Sequence, residues 1–271
     1  MRMTLALLRD GLMTDALNQV REMCMRKDEI LLEQAYHSIY EDNNPFQPAS
    51  EDEIKDRKKQ QLRLANQKVQ DYIKNGSVGD LDLYNTPIQS LPADLKVGGS
   101  LGLGSTPIKS LPDNLKVGCH LWLNRTPIQS IPADLKVGGD LHLHNTSIKS
   151  LPDNLQVGGS LYLTDTPIQS LPDNLKVGGN LGLRDTLIKS LPDNLKVGGS
   201  LDLYSTAIKS LPDNLEVVGH LWLSDTEIQS LPDNLKVGGD LYIESTPLAS
   251  KYTEDQIREM CPVIKGKVYV V

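Results

Sequence analysis

The sequence predicts an α/β-type solenoid, in which short coils stack so that one strand from each joins a parallel β-sheet on the concave face. Three observations predict it. A twenty-residue unit, clearest in Leu161–Asn180 (LYLTDTPIQSLPDNLKVGGN), recurs nine times between Leu81 and about Ser250. A fixed period of this length marks coils too small to bury their own apolar side, which stack on their neighbours instead. Inside each unit the apolar positions hold their places from copy to copy, and outside residues 77–250 the period gives way to helical patterns. The expected organisation is a helical cap over 1–76, the array over 77–250 and a C-terminal cap over 251–271.

Numbered from its first Leu, each unit carries Leu at positions 1 and 3, with Ile243 the one exception. That spacing is the in-out-in alternation of a half-buried strand. Positions 8, 11, 15 and 17 are Ile or Leu, Leu or Ile, Leu and Val, and turn inward from the return path. Position 6 is Thr from Thr86 to Thr246. Its hydroxyl is expected to form a ladder between coils, satisfying loop groups that no sheet reaches. Ser at 10 and Pro at 12 shape a turn, and Val-Gly-Gly at 17–19 swings the chain into the next strand through positive φ or close packing. The Asp-Asn pairs such as Asp113-Asn114 recur in a turn that favours those residues, and read as structural.

The ends follow other rules. Thr14 caps a first predicted helix, with Leu17, Val20, Cys24, Leu31, Ala35 and Ile39 at three-to-four spacing. Asn43–Pro48 breaks it. Ser50 to Glu53 is a capping box opening a charged helix with Ile54, Leu62, Ala65, Val69, Tyr72 and Ile73 on one side, stopped by Gly76. The two make a helical hairpin over the first coil. Thr253 to Gln256 is another capping box, for a short helix ending at Cys261-Pro262, and Gly266–Val270 reads as a tenth, terminal strand. Solenoid edges need such covers, so the ends read as caps of a complete array.

The unit Leu-x-Leu-x-x-Thr-x-Ile-x-Ser-Leu-Pro-x-x-Leu-x-Val-Gly-Gly-x resembles a short bacterial or phage leucine-rich repeat. It is similar to the repeats of leucine-rich-repeat type III secreted effectors, over about two-thirds of the chain. The resemblance implies a leucine-rich-repeat solenoid, a helical leader and a module that binds a partner. Two departures stand out: Thr where those effectors carry Asn, and Val-Gly-Gly in place of a tighter return.

Composition excludes several classes. A formal charge of -7, from 28 basic and 35 acidic residues, argues against nucleic acid, whose binding needs basic groups on phosphate. Cys24, Cys119 and Cys261 have neither metal-site nor disulfide spacing. No stretch approaches the twenty apolar residues of a membrane span. The run near Met1–Leu8 is too short for a Sec signal, so the expected setting is the bacterial cytoplasm or a host reached by a signal-less route.

Only positions 20, 2, 4 and 5 change freely, and strand alternation turns them onto the exposed sheet or its edge. All six aromatic residues between 81 and 250 stand there (Tyr84, Trp122, Tyr162, Tyr204, Trp222 and Tyr242), with His120, His142, His144 and His220. Nine acids, among them Asp140, Asp165, Asp185 and Asp240, face two bases, Arg125 and Arg184. The excess equals the charge of the whole chain. Aromatic and Arg side chains are the usual anchors of interfaces. A ladder serving stability alone would let one good residue recur, as it does in the other columns.

A central patch joins His120, Trp122, Arg125, Asp140, His142, His144 and Tyr162, and a second joins His220, Trp222, Asp240 and Tyr242. His120, His142, His144 and Asp140 are metal-ligand types, but their spacing does not make them converge, and hydrogen bonding suits them better. The expected function is therefore a non-enzymatic protein–protein interaction module without cofactor or metal. Its acidic, aromatic face would bind a host or bacterial protein, as a secreted effector or prophage-encoded product. Some of the similar effectors carry a ubiquitin-ligase domain after the repeats; here about twenty residues follow, and Cys261 has no acid beside it in sequence. A carbohydrate-binding array is a further alternative, since Trp, Tyr, Asp and His also bind sugars.

Overall fold

The computed structural model describes residues 49–271 apart from 154, 194, 262 and 271. The first half of the predicted helical hairpin, with Cys24, lies outside the described residues. Contacts divide the chain into two compact units after Lys55, and the array belongs to the second.

Helix α1 spans Glu51–Lys74. Its predicted box is present: Ser50 N–H donates to Glu53 Oε2 (2.9 Å) and Glu53 N–H to Ser50 Oγ (3.3 Å). Gly76, at φ +84°, ends it in the left-handed conformation glycine tolerates. The apolar stripe is narrower than expected, because Ala65 and Val69 are buried and Leu62 and Tyr72 half-buried while Ile54 and Ile73 stay exposed. Polar groups of the same helix finish the open edge of the first coil. Tyr72 Oη donates to Gly79 O (2.9 Å) and accepts from Gly98 N–H (3.1 Å), and Lys68 Nζ donates to the Asp82 carbonyl (2.5 Å). The Asp82 carbonyl would otherwise face a missing coil, whereas Gly98 N–H and Gly79 O already pair with Ser77 O and Gly99 N–H.

The array is a leucine-rich-repeat solenoid with two parallel sheets. The first has ten two-residue strands at positions 1 and 2, from Leu81–Asp82 to Leu241–Tyr242 and finally Val268–Tyr269. Every step within the repeats is one unit, as in Leu81↔Leu101 and Trp122↔His142. A second sheet of eight strands runs through positions 16 and 17, from Lys96–Val97 to Lys236–Val237. The sequence reading missed it, because two residues are too few to show strand periodicity.

The Leu columns at positions 1 and 3 are at most 1% exposed, and the Ile, Leu and Val columns complete one continuous core. Each fully buried Leu contributes roughly 1.5–3 kcal/mol. The threonines correct an expectation. Their hydroxyls donate within their own coil, to the carbonyl at position 3, as Thr106 Oγ1 to Leu103 O (2.7 Å) and Thr166 Oγ1 to Leu163 O (2.6 Å). They close the turn after the strand and form no ladder between coils.

The glycines at position 18 serve close packing, not positive φ. A Cβ added at Gly138 or Gly158 would run into the backbone carbonyl of the coil before it. Val218 stands in that column, and its N–H bond to Val197 O is 3.3 Å against 2.8–3.2 Å at the glycines. At the far end, Thr253 caps helix α2, Glu254–Met260, through the predicted box. The tenth strand pairs as expected, with Leu241↔Val268 and Tyr242↔Tyr269. Among the described residues no helix is long and apolar enough to cross a membrane.

Candidate recognition surface

In-register pairing brings the position-2 side chains of successive coils into a single file. Trp122 stacks on His142 (centroids 5.8 Å, 19° between planes), and His142 on Tyr162 (4.7 Å, 18°). A second stack runs Trp222–Tyr242 (5.6 Å, 13°) and Tyr242–Tyr269 (4.6 Å, 2°). All six rings are half-buried. Tyr269 was not foreseen as a site residue; the match of Gly266–Val270 to the strand pattern was the signal, since it puts Tyr269 at position 2. His120 and His220 tilt against Trp122 and Trp222, both at 5.4 Å. The structure thus assembles the rings of both predicted patches.

A third cluster lies between the two along the array. Arg184 lies 4.2 Å over the Tyr204 ring, and its Nε donates to Asp185 Oδ2 (3.2 Å). Tyr84 stands apart, folded over Gly104, with Ser105 Oγ donating to its hydroxyl (3.2 Å).

Position 20 has a second role. Each of its side chains accepts a hydrogen bond from the backbone N–H of the same position one coil on. The series begins Asp80 Oδ1 from Ser100 (2.7 Å), Ser100 Oγ from His120 (3.4 Å), His120 Nδ1 from Asp140 (3.0 Å) and Asp140 Oδ1 from Ser160 (2.6 Å). It continues through Ser160, Asn180, Ser200 and His220, and ends with Asp240 Oδ1 accepting from Lys267 N–H (2.7 Å). The cause lies in the backbone. Position 19 donates back to the preceding coil and position 1 forward to the next, as Cys119 N–H to Gly99 O and Leu121 N–H to Asp140 O. At the changeover the position-20 N–H meets no carbonyl, so a short acceptor side chain must take it. At His120 and His220 the same Nδ1 also lies 3.3 and 3.4 Å from Oδ2 of Asp140 and Asp240.

Position 5 is constrained as well. All nine residues there, including Arg125, Asp165 and Asp185, have φ between +54° and +58°. Asn and Asp tolerate that region best, which accounts for five of the nine. Positions 2 and 4 carry no such demand common to every coil, although Asp82 and Asp202 at position 2 accept from the position-4 N–H of their own coils.

Electrostatics follow from burial and neighbours. Burial pushes His142 below the ordinary imidazole range, with Asp140 partly opposing. Burial and then Arg125 do the same to His144, against Asp165. The histidines do not converge: the His142 and His144 rings meet edge-on at 6.1 Å and His120 Nδ1 is engaged with backbone. Among the described residues no three metal-ligating side chains come together. Cys119 is exposed and Cys261 buried. Burial, with Asp233 adding to it, pushes the Cys261 thiol up, away from the thiolate a nucleophile needs. An acid distant in sequence is therefore near Cys261 after all.

No protein-family model matches this chain, and no curated protein matches it. Among solved structures it is similar to YopM, a leucine-rich effector protein from Yersinia pestis, at 15% identity over 82% of this chain and 90% of that one (TM-score 0.33). It is similar to YopM from Yersinia enterocolitica at 16% identity over 81% and 69% (TM-score 0.24). A leucine-rich-repeat protein of Leptospira interrogans matches at 15% identity over 69% and 83% (TM-score 0.26).

Proposed function

We propose that this leucine-rich-repeat solenoid is a non-enzymatic binding module that engages a protein partner through positions 2 and 4 of its first sheet. The observation that carries the reading is the pair of half-exposed aromatic stacks, Trp122–His142–Tyr162 and Trp222–Tyr242–Tyr269. Pre-stacked rings lose little conformational freedom on binding, and Trp and Tyr supply most of the energy of protein interfaces. Ten strands at about 4.8 Å spacing make the strip roughly 43 Å long, enough for an interface of ordinary size. Asp165, Arg184, Asp185 and Tyr204 lie between and beside the stacks and would set register. His120, Asp140, His220 and Asp240 can reach a partner only through atoms the backbone ladder leaves free.

The repeat pattern supports a role as a delivered effector or prophage-encoded host-interaction protein. Affinity capture from mammalian and bacterial lysates, with wild type beside a Trp122/Tyr162/Trp222→Ser variant, tests both parts. A mammalian protein held by wild type alone is the expected result. A bacterial or phage protein held by wild type alone keeps the binding face and removes the effector role. Equal capture by the folded variant puts the interface elsewhere.

A further inference from the structure

The position-2 file is interrupted at Gly102, which pairs with Asp82 on one side and Trp122 on the other. The coil that holds it has glycine at position 4 too, Gly104, and no other repeat unit is bare at both positions. The space over Gly104 is taken by the Tyr84 ring. Gly102 itself is buried and the Asp82 carboxylate leans over it, Oδ1 2.8 Å from where a Cβ would sit, and a cleft of about 420 Å³ opens there with Asp80, Asp82, Tyr84, Ser100 and Trp122 around it.

One face of the Trp122 indole stacks on His142, and the other looks across Gly102. Asp82 lies two strand spacings from Trp122, about 9.6 Å between backbones, which leaves the thickness of one planar side chain. The carboxylates are only partly used. Asp82 Oδ1 accepts from Tyr84 N–H (2.9 Å) and Asp80 Oδ1 from Ser100 N–H (2.7 Å), which leaves each Oδ2 for a ligand.

We propose that this slot receives the guanidinium of an arginine presented by an extended segment of the partner. The proposal rests on the reading of the outward face as a recognition surface and names its chemistry at one point. A guanidinium stacks on an indole face and gives paired N–H donors to a carboxylate, which a lysine ammonium does less well.

The rest of the file offers a partial parallel. The other glycine of the file, Gly182, also stands between an aromatic and an acid, Tyr162 and Asp202. There position 4 of the same coil is Arg184, whose guanidinium lies over the Tyr204 ring of the next coil; burial raises the Asp202 pKa, with the Tyr204 N–H and then Arg184 opposing. At Gly102 the matching residue is Gly104, so the same coil supplies no cation. Two resident cations stand near but not in the slot. Lys68 Nζ bonds the Asp82 carbonyl, and strand carbonyls point to the preceding coil, away from Gly102. Arg125 acts on the Tyr84 hydroxyl, at the opposite end from Asp80.

The test uses the full chain carrying Trp222→Phe, which leaves Trp122 as its one tryptophan. Its indole N–H is followed by NMR during titration with the peptide Ac-Gly-Arg-Gly-NH2 and with its citrulline counterpart. A saturable shift with arginine alone is expected, weakened about fivefold by Asp82→Asn, the loss typical of one exposed charge-assisted contact. Gly102→Tyr, whose Cβ pushes the Asp82 carboxylate aside, should abolish it while circular dichroism stays unchanged, since the fold already carries Trp, His and Tyr at position 2. No saturable shift, an equal response to citrulline, or binding retained in Gly102→Tyr overturns the slot. Partner capture lost in the serine variant without an arginine response removes the slot and keeps the recognition face. Capture unaltered in that variant, which lacks Trp122, overturns the partner's use of the slot together with the wider face, whatever the arginine peptide does.

Discussion

The two sheets of the solenoid are built alike and used differently. Both are parallel, in register and two residues deep. Yet the outward residue of the second sheet is Lys in six of eight strands, Gln156 and Glu216 being the exceptions, while that of the first runs Asp, Gly, Trp, His, Tyr, Gly, Asp, Trp, Tyr, Tyr. In-register lysines place like charges opposite one another, which costs stability. A sheet under pressure to optimise its exposed column would have diversified there first. Diversity on the other sheet, where aromatic and acidic residues succeed one another, is better matched to a surface that meets something.

The sharpest way to break this comparison is to measure inward and outward columns in one coil. Leu163→Ala, in a column with no solvent exposure, should cost about 3 kcal/mol in urea denaturation. Tyr162→Ser, one residue away, should cost under about 1 kcal/mol, the worth of a surface stack, and remove partner capture. Similar costs for both would make the aromatic file a structural ladder and return the surface to mere stability.

Position 20 asks the same question of a single column. Asp140→Ala strips the acceptor from the Ser160 N–H and should cost about 1 kcal/mol, with faster amide exchange at Ser160. Asp140→Asn keeps an oxygen in place and should cost almost nothing. An alanine variant of unchanged stability and exchange that lost its partner would restore Asp140 to recognition alone.

This column also shows how far the sequence could be read. Leu, Ile and Val at fixed places announced the coil, and the box at Thr253 and the strand at Val268 were legible because each has a local pattern. Ser, Asp, Asn and His at position 20 look like free variation because letters differ where the shared property, a short acceptor, does not. The left-handed turn at position 5 hid in the same way, since Arg125 and three serines mask the Asn and Asp preference. Tyr269 escaped because it stands 27 residues after Tyr242 instead of 20, beyond the reach of the period.

The pH response tests the central patch. Burial holds His142 and His144 below the usual imidazole value, so the unfolded chain takes up protons more readily as pH falls under about 6.5. Their contribution to stability is present above that pH and is lost as pH falls toward the lowered folded values. Melting temperature should therefore decline from pH 7.5 to 5.5. The decline should be shallower in His142→Phe/His144→Asn, which keeps an aromatic in the stack. Parallel curves would show that these rings titrate as in the open chain.

The smallest expected effect tests the premise about lysines. Lys116 stands between Lys96 and Lys136 in register, whereas Glu216 stands between Lys196 and Lys236. Lys116→Glu copies the second arrangement into the first and replaces two repulsions with two attractions. A small rise in melting temperature at low salt is expected, fading near 1 M salt, where the screening length is about 3 Å. Partner capture should not change. If Lys116→Glu instead lowers stability, the lysine file is favourable after all, and uniformity there would reflect an optimum. The contrast with the first sheet would then say less about recognition, and the case would rest on the serine variants of the aromatic stacks alone.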